Sequence, residues 1–289
     1  MRPNGRVRIR VDVLPTGLLV AFVCVAGCGH LSEGPPTDLL LMAASDTTVR
    51  IRWTAPAGGV PDSYVVAFME TGTSAWLDFG TASDSATDAD HNPLGRTGHY
   101  RVSAIFGSRS YSATQTPTSA PVHTDTTAVG ELNSTLYSGY GWERDSGVGS
   151  VFTMGYASNA DHVDFYVTDW ATGFAGPAYS MASPDWGPYE PGGTGFVPVG
   201  AWRATGFSSL SAGDQAPLPA YSSGNYSNNL ELSPDSTLVA VVCTDTTDTL
   251  GTVSRHYALV KLGSPDIASG RVQVETWFQR IKDLRLIQH

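Results

Sequence analysis

Carboxylate pairs are the first groups in this sequence with the types for chemistry. Asp161 with Asp164, and Asp185 with Glu190, match the two-acid requirement of glycoside hydrolysis, where one carboxyl protonates the leaving oxygen and the other attacks or activates water. Asp161, Asp164 and Asp169 could offer oxygens to a calcium ion, but the Asp-x-Asp-x-Asp-Gly loop that wraps one is missing. The seven histidines stand at 30, 91, 99, 123, 162, 256 and 289, scattered without the local signature of a Ser-His-Asp triad. G-x-S-x-G, H-E-x-x-H and C-x-x-C do not occur, and no glycine-rich loop opens a helix to cradle phosphate. The expectation is solvated surface carboxylates, with Asp245 and Asp248 in a polar turn. No enzymatic activity, cofactor or metal is expected.

Aromatic residues carry the remaining binding content. Between 171 and 229 the chain is rich in Gly, Pro and Ser and holds nine aromatics, Tyr221 and Tyr226 among them. Trp186 and Tyr189, with Trp170 and Trp202 nearby in sequence, could form a platform on which pyranose C–H faces stack while neighbouring Asp or Asn groups accept hydroxyl bonds. Core filling explains the same residues. A segment this long is unusual as a loop, so short strands are expected inside it, for instance around 195–202. Cys243 lies in the apolar run 238–243 and reads as a buried strand cysteine.

Composition narrows the partners. Hydrophobic residues make up 41% of the 289 and charged residues 15%, while Gly, Ser and Thr are abundant. That balance favours strands and turns around a real core. The net charge is −10. Without Arg2, Arg6, Arg8, Arg10 and Asp12, which precede Cys28, 13 basic and 26 acidic residues remain, a net of −13. An acidic body with only Lys261 and Lys282 as lysines repels phosphate backbones, which argues against nucleic acid, and anionic headgroups would not hold it either.

The N-terminus supplies another attachment. Residues 1–10 are basic, residues 17–26 are apolar but shorter than the ~20 needed to span a bilayer, and Val25-Ala26-Gly27 precede Cys28. This resembles the lipobox of bacterial lipoproteins. The resemblance implies a signal peptide over 1–27, diacylglyceryl transfer to the Cys28 thiol and acylation, as by palmitate, of the new amino group. Several buried acyl chains at ~0.8 kcal/mol per CH₂ make a durable anchor. Gly29 stands where an aspartate would favour inner-membrane retention in many diderm bacteria, so the outer membrane of the cell envelope is expected. Residues 28–35, with Pro35 at their end, read as a tether.

The elements beyond are strands. Residues 49–53, 64–68 and 100–104 alternate strictly, with Val49, Ile51 and Trp53, then Tyr64, Val66 and Phe68, then Tyr100, Val102 and Ala104 on one face each. Turn clusters at 57–62 and 92–95 separate them. With Pro36, Leu39 and Leu41 ahead of them and Leu94 before Tyr100, these features resemble a fibronectin type III domain over 36–122. The resemblance implies a β-sandwich in which Trp53 fills the space between sheets. It also implies a corner formed by Leu94 and Tyr100, with the tyrosine hydroxyl bonded to backbone. The strands of 70–90 are not legible.

Residues 123–130 read as a linker, and 131–289 as a second all-β domain, a sandwich or barrel. Its candidate strands are 151–154, 162–170, the doubly buried 238–243, and a C-terminal pair at 255–262 and 271–278. Trp277, Ile281 and Leu284 also fit helical spacing, which leaves a short terminal helix open. The final strands resemble those of uncharacterised β domains of secreted bacterial proteins, which carry no known chemistry. The sequence therefore points to a non-catalytic, lipid-anchored envelope protein that contacts another envelope protein or a glycan.

Overall fold

The computed structural model describes residues 33–132, 134–168, 179–186, 202–211, 216–233, 235, 237–246 and 253–289. Cys28 and the signal peptide expected before it lie outside them. Among the described residues no helix is long and apolar enough to cross a membrane.

Seven strands build the first half: β1 (Thr37–Ser45), β2 (Thr48–Thr54), β3 (Ser63–Glu70), β4 (Leu77–Ser83), β5 (Asp88–His91), β6 (Gly98–Phe106) and β7 (Arg109–Ser112). They form a three-stranded sheet ordered β1-β2-β5 and a four-stranded sheet ordered β4-β3-β6-β7, with every ladder antiparallel. Side chains alternate across a strand. Val49, Ile51 and Trp53 therefore enter one core with Tyr64, Val66, Phe68, Tyr100, Val102 and Ala104. The alternate residue Arg50 faces out and pairs with Asp90 on β5 through bonds of 2.7 and 2.8 Å. Trp53 packs on Tyr64 with ring centroids 5.1 Å apart. This is the fibronectin type III-like sandwich expected from the sequence, and β4 and β5 are the strands that 70–90 concealed.

The expected corner takes a different form. Leu94 has a left-handed backbone, φ 56°, and is 78% exposed, so it does not pack beside Tyr100. The Tyr100 hydroxyl lies 3.2 Å from His91 Nδ1 rather than on a backbone group. His91 stacks flat on Phe79, centroids 4.0 Å apart, and takes the space beside the tyrosine.

Among the described residues the second half contains ten strands: β8 (Val122–Gly130), β9 (Gly139–Trp142), β10 (Gly149–Phe152), β11 (Phe165–Thr168), β12 (Ser180–Ala182), β13 (Ala204–Leu210), β14 (Asn229–Glu231), β15 (Thr237–Thr246), β16 (Val253–Leu262) and β17 (Arg271–Phe278). They form two five-stranded sheets, β10-β9-β11-β12-β14 and β13-β15-β16-β17-β8. The sheets face each other across a core of Tyr140, Trp142, Phe165, Val167, Val241, Val260, Val274 and Phe278, among others. The second half is therefore a sandwich and not a closed barrel. Residues 123–130 are no linker: they run along β17 as an edge strand, Val129 opposite Val272 and His123 opposite Trp277. Their polar composition suits an edge because half of an edge strand faces water.

The run 238–243 is central and buried on both faces. Val239, Val241 and Cys243 point into the inter-sheet core, while Ala240 and Val242 meet Leu218, Tyr226, Tyr257, Leu259 and Ile287 on the opposite side. The last residues, 279–289, form turns and extended chain rather than a helix. Leu284 and Leu286 enter the core of the first sandwich, and Ile287 joins the apolar cluster on the outer side of β15 and β16. Gln279 Nε2 donates to Ser119 O at 2.9 Å and to Leu286 O at 2.8 Å. The Gln288 side chain accepts from Thr97 N at 3.1 Å. Residues 32–289 accordingly make one compact unit.

Candidate functional site

Two features hold the described polar chemistry: a buried ionic network inside the second sandwich and a cleft on its outer side. The network is built on Asp164, which is completely buried just before β11. Its carboxylate accepts from the Trp142 backbone N–H at 2.9 Å, from Arg144 at 2.9 and 2.6 Å, and from Arg203 at 3.3 and 3.4 Å. Arg144 also donates to Asp245 through two bonds of 3.0 Å. His256 Nδ1 meets the other Asp245 oxygen at 2.5 Å. The His256 ring stacks on Phe278 with centroids 5.3 Å apart, and the Arg144 guanidinium lies 5.5 Å from the same ring. Two arginines thus balance two carboxylates around the fully buried Asp164, where a lost partner is costly.

Burial alone would push the Asp245 carboxyl up. The hydrogen bond from His256 and the charge and hydrogen bonds of Arg144 outweigh it and hold Asp245 down to about 2. Cys243 stands opposite His256 in the β15–β16 ladder, and Asp245 follows on the same face. Thiol, imidazole and carboxylate are the types of a nucleophilic triad. Here Cys243 is fully buried and His256 only 1% exposed. Burial, reinforced by the negative charge of Asp164, drives the Cys243 thiol well above its ordinary value. The thiolate that a nucleophile needs is therefore disfavoured.

The sequence read Asp164 as solvated and Asp245 as part of a polar turn; the tertiary fold buries Asp164 completely and places Asp245, partly buried, in β15. No pairing between Asp161 and Asp164 arises, because Asp164 is committed to its arginines and Asp161 is exposed. Asp169, Glu190 and Asp248 lie outside the described residues. Among the described residues no cluster of three His, Cys, Asp or Glu side chains could hold a metal ion. Arg144 and Arg203 carried no sequence signal, since their partners lie 20 and 39 positions away.

Of the four side chains expected to form an aromatic platform, Trp202 alone lies among the described ones. Trp202 is 8% exposed and packs in a core cluster with Met154, Val163, Tyr166 and Ala182, so it presents no stacking face. Trp170 and Tyr189 lie outside the described residues, as does the side chain of Trp186, whose backbone closes a 3-10 turn at Pro184–Trp186. Nor does the described chain place a strand at 195–202: 195–201 lie outside the described residues and β13 begins at Ala204.

The cleft lies instead where residues 221–228 leave β13. Its volume is about 380 Å³, and Asp185, Gly206, Tyr221, Tyr226, Asn228 and Thr244 are among the residues that line it. The floor is the outer face of β13 and β15, where Ala204 pairs with Thr244 and Gly206 with Val242. Glycine is required at 206, because a Cβ there would sit 2.9 Å from Tyr226 Cβ. Tyr226 is buried, its hydroxyl donating to Pro219 O at 2.8 Å. Tyr221 is 44% exposed, with its ring 6.0 Å from that of Tyr226 and the Arg255 guanidinium 4.2 Å from its centroid. Asp185 accepts a hydrogen bond from Ser183. Ser183 in turn accepts from the Thr205 N–H at 2.8 Å, which ties the turn to β13.

No family model matches the chain, and no curated protein sequence matches it. Solved structures resemble part of it. An FN3 domain of human collagen XX is 17% identical, with 30% of this chain and 90% of that one covered and a TM-score of 0.26. A solution structure of the fn3 domain of the human collagen alpha-1(XX) chain is 20% identical, covering 30% and 86%, with a TM-score of 0.26. A computationally redesigned β-sandwich protein is 18% identical, covering 30% and 90%, with a TM-score of 0.24.

Proposed function

We propose that this protein is a lipid-anchored component of a bacterial cell envelope, held through Cys28, whose paired β-sandwiches act as a rigid, non-catalytic interaction module. The observation that carries the reading is the C-terminal segment. Leu284 and Leu286 fill the core of the first sandwich and Ile287 packs on the outer apolar face of β15 and β16 in the second, a tie that supports a fixed spacing of surfaces on the two, as a docking module needs. Among the described residues the thiol, imidazole and carboxylate of Cys243, His256 and Asp245 offer no accessible nucleophile, because Cys243 is fully buried, which supports the non-catalytic reading. A fold of this kind assigns no activity by itself.

The anchor rests on residues 1–28: a basic start, a short apolar stretch, and small residues before Cys28. A clickable palmitate analogue fed to expressing bacteria should label the full chain and leave Cys28→Ala unlabelled and released from membranes. Label retained by Cys28→Ala, or absent from both, overturns the anchor. Cross-linking in intact envelopes should then trap a discrete protein partner. Steady turnover of ester, peptide or glycoside substrates by the purified chain would overturn the non-catalytic reading.

A further inference from the structure

We infer that the cleft between Tyr221, Asp185 and Asn228 is a binding site for a neutral oligosaccharide. This goes beyond the interaction module above by naming a site and a ligand chemistry. Three observations carry it.

The first is the state of Tyr221. Its ring is the exposed member of the aromatic pair and is backed by the Arg255 guanidinium at 4.2 Å. Arg255 is not part of the cleft lining. The Tyr221 ring lines the cleft and is braced on one face by Arg255. A braced aromatic ring offers apolar area at small entropic cost, and the axial C–H face of a pyranose matches it.

The second is the polar lining. Asp185 accepts, while Ser223, Asn228 and Thr244 both donate and accept. Among the described residues, the side chains of Ser223, Asn228 and Thr244 have no hydrogen-bond partner in the protein. Their donors and acceptors are free for a ligand that carries hydroxyls of both kinds. The lining has one carboxylate and no cation, which disfavours phosphate, sulfate or uronate and suits a neutral polyhydroxyl ligand such as a sugar.

The third is size and rigidity. About 380 Å³ falls at the small end of ligand clefts and admits one or two sugar rings. Its floor is paired strand, its Gly206–Tyr226 contact is close, and the Asp185 turn is bonded to β13 through Ser183. A site that needs little rearrangement loses little affinity to ordering.

The test uses the full chain in detergent with maltotriose, cellotriose and tri-N-acetylchitotriose as probes, by isothermal titration calorimetry and saturation-transfer NMR. At least one trisaccharide should bind saturably in the millimolar range or tighter. Tyr221→Ala should weaken it about tenfold with unchanged thermal unfolding, and Tyr221→Phe should retain it. Asn228→Ala should weaken binding without loss of fold. Absence of saturable binding by all three trisaccharides overturns the inference. So does binding that survives Tyr221→Ala, which would place a sugar site elsewhere. Neither result touches the lipid anchor, which palmitate labelling reads independently.

Discussion

Asp164 shows how much a single residue depends on its surroundings. In sequence it is one of several acids near 161–169 and looks like a solvated group. In the fold it is fully buried between Arg144 and Arg203. Asp164→Ala would leave both guanidinium groups without their main partner, and we expect a loss of about 3 kcal/mol or more, read by urea unfolding. By contrast, Arg50→Ala, which breaks an exposed pair with Asp90, should change stability little. If the two variants behave alike, the network is not the stabilising element described. His91 gives a pH signature. Burial, with the charge of Arg96 second, pushes its imidazole down to about 4 from the ordinary 6.5. Between those values the unfolded chain holds a proton that the folded chain does not. Its contribution is complete above about pH 6.5 and is lost as pH falls toward 4. After solvent screening the loss is on the order of 1 kcal/mol. His91→Phe should flatten that part of the thermal-stability profile; an unchanged slope would exclude His91 as its source.

Among the elements, those with a clean period were legible and those defined by close approach were not. β2, β3 and β6 alternate because one face of each is packed and the other wet, and that period is written in the residues. β17 was readable for the same reason and β16 from its apolar run, buried on both faces, and their predicted antiparallel pairing is present, Ala258 opposite Phe278 and Leu262 opposite Val274. β8 was not, because an edge strand has one neighbour and tolerates the Thr and His that otherwise mark linkers. β9 (Gly-Tyr-Gly-Trp) was missed since glycines usually mark turns. There Gly141 is required by a neighbour: a Cβ would stand 1.7 Å from His162 O. Gly141→Ala should therefore force β9 from β11 and destabilise by about 3 kcal/mol, visible as a lower urea midpoint. A midpoint equal to wild type would mean that the two segments are not in contact.

At the scale of the whole molecule the two sandwiches depend on one tail. Leu284, Leu286 and Ile287 are completely buried, and truncating one buried leucine to alanine costs roughly 2–5 kcal/mol. Loss of three such residues is comparable with the whole stability of an ordinary domain, about 5–15 kcal/mol. Deleting 284–289 should abolish cooperative unfolding. Leu286→Ala should lower a single transition, with amide-exchange protection in β3 and β16 falling together. If protection fell in β3 while β16 kept its own, the halves would be independent and the rigid module would fail.

The sequence by itself determined the all-β class, the fibronectin type III-like sandwich and the central strand at 238–243. Each of these follows from local periodicity and from how much apolar surface a strand must hide. It also carries the lipobox reading of Cys28, which is a local pattern. Only the tertiary structure decided that Trp202 is core, that Asp164 is an interior charge sharing Arg144 with Asp245, and that 123–130 is a strand. It alone brought Tyr221 beside Asp185 and Asn228 across a cleft. Those outcomes depend on partners far along the chain, and side-chain burial and pairing are properties of the packed neighbours, which residue type alone does not specify.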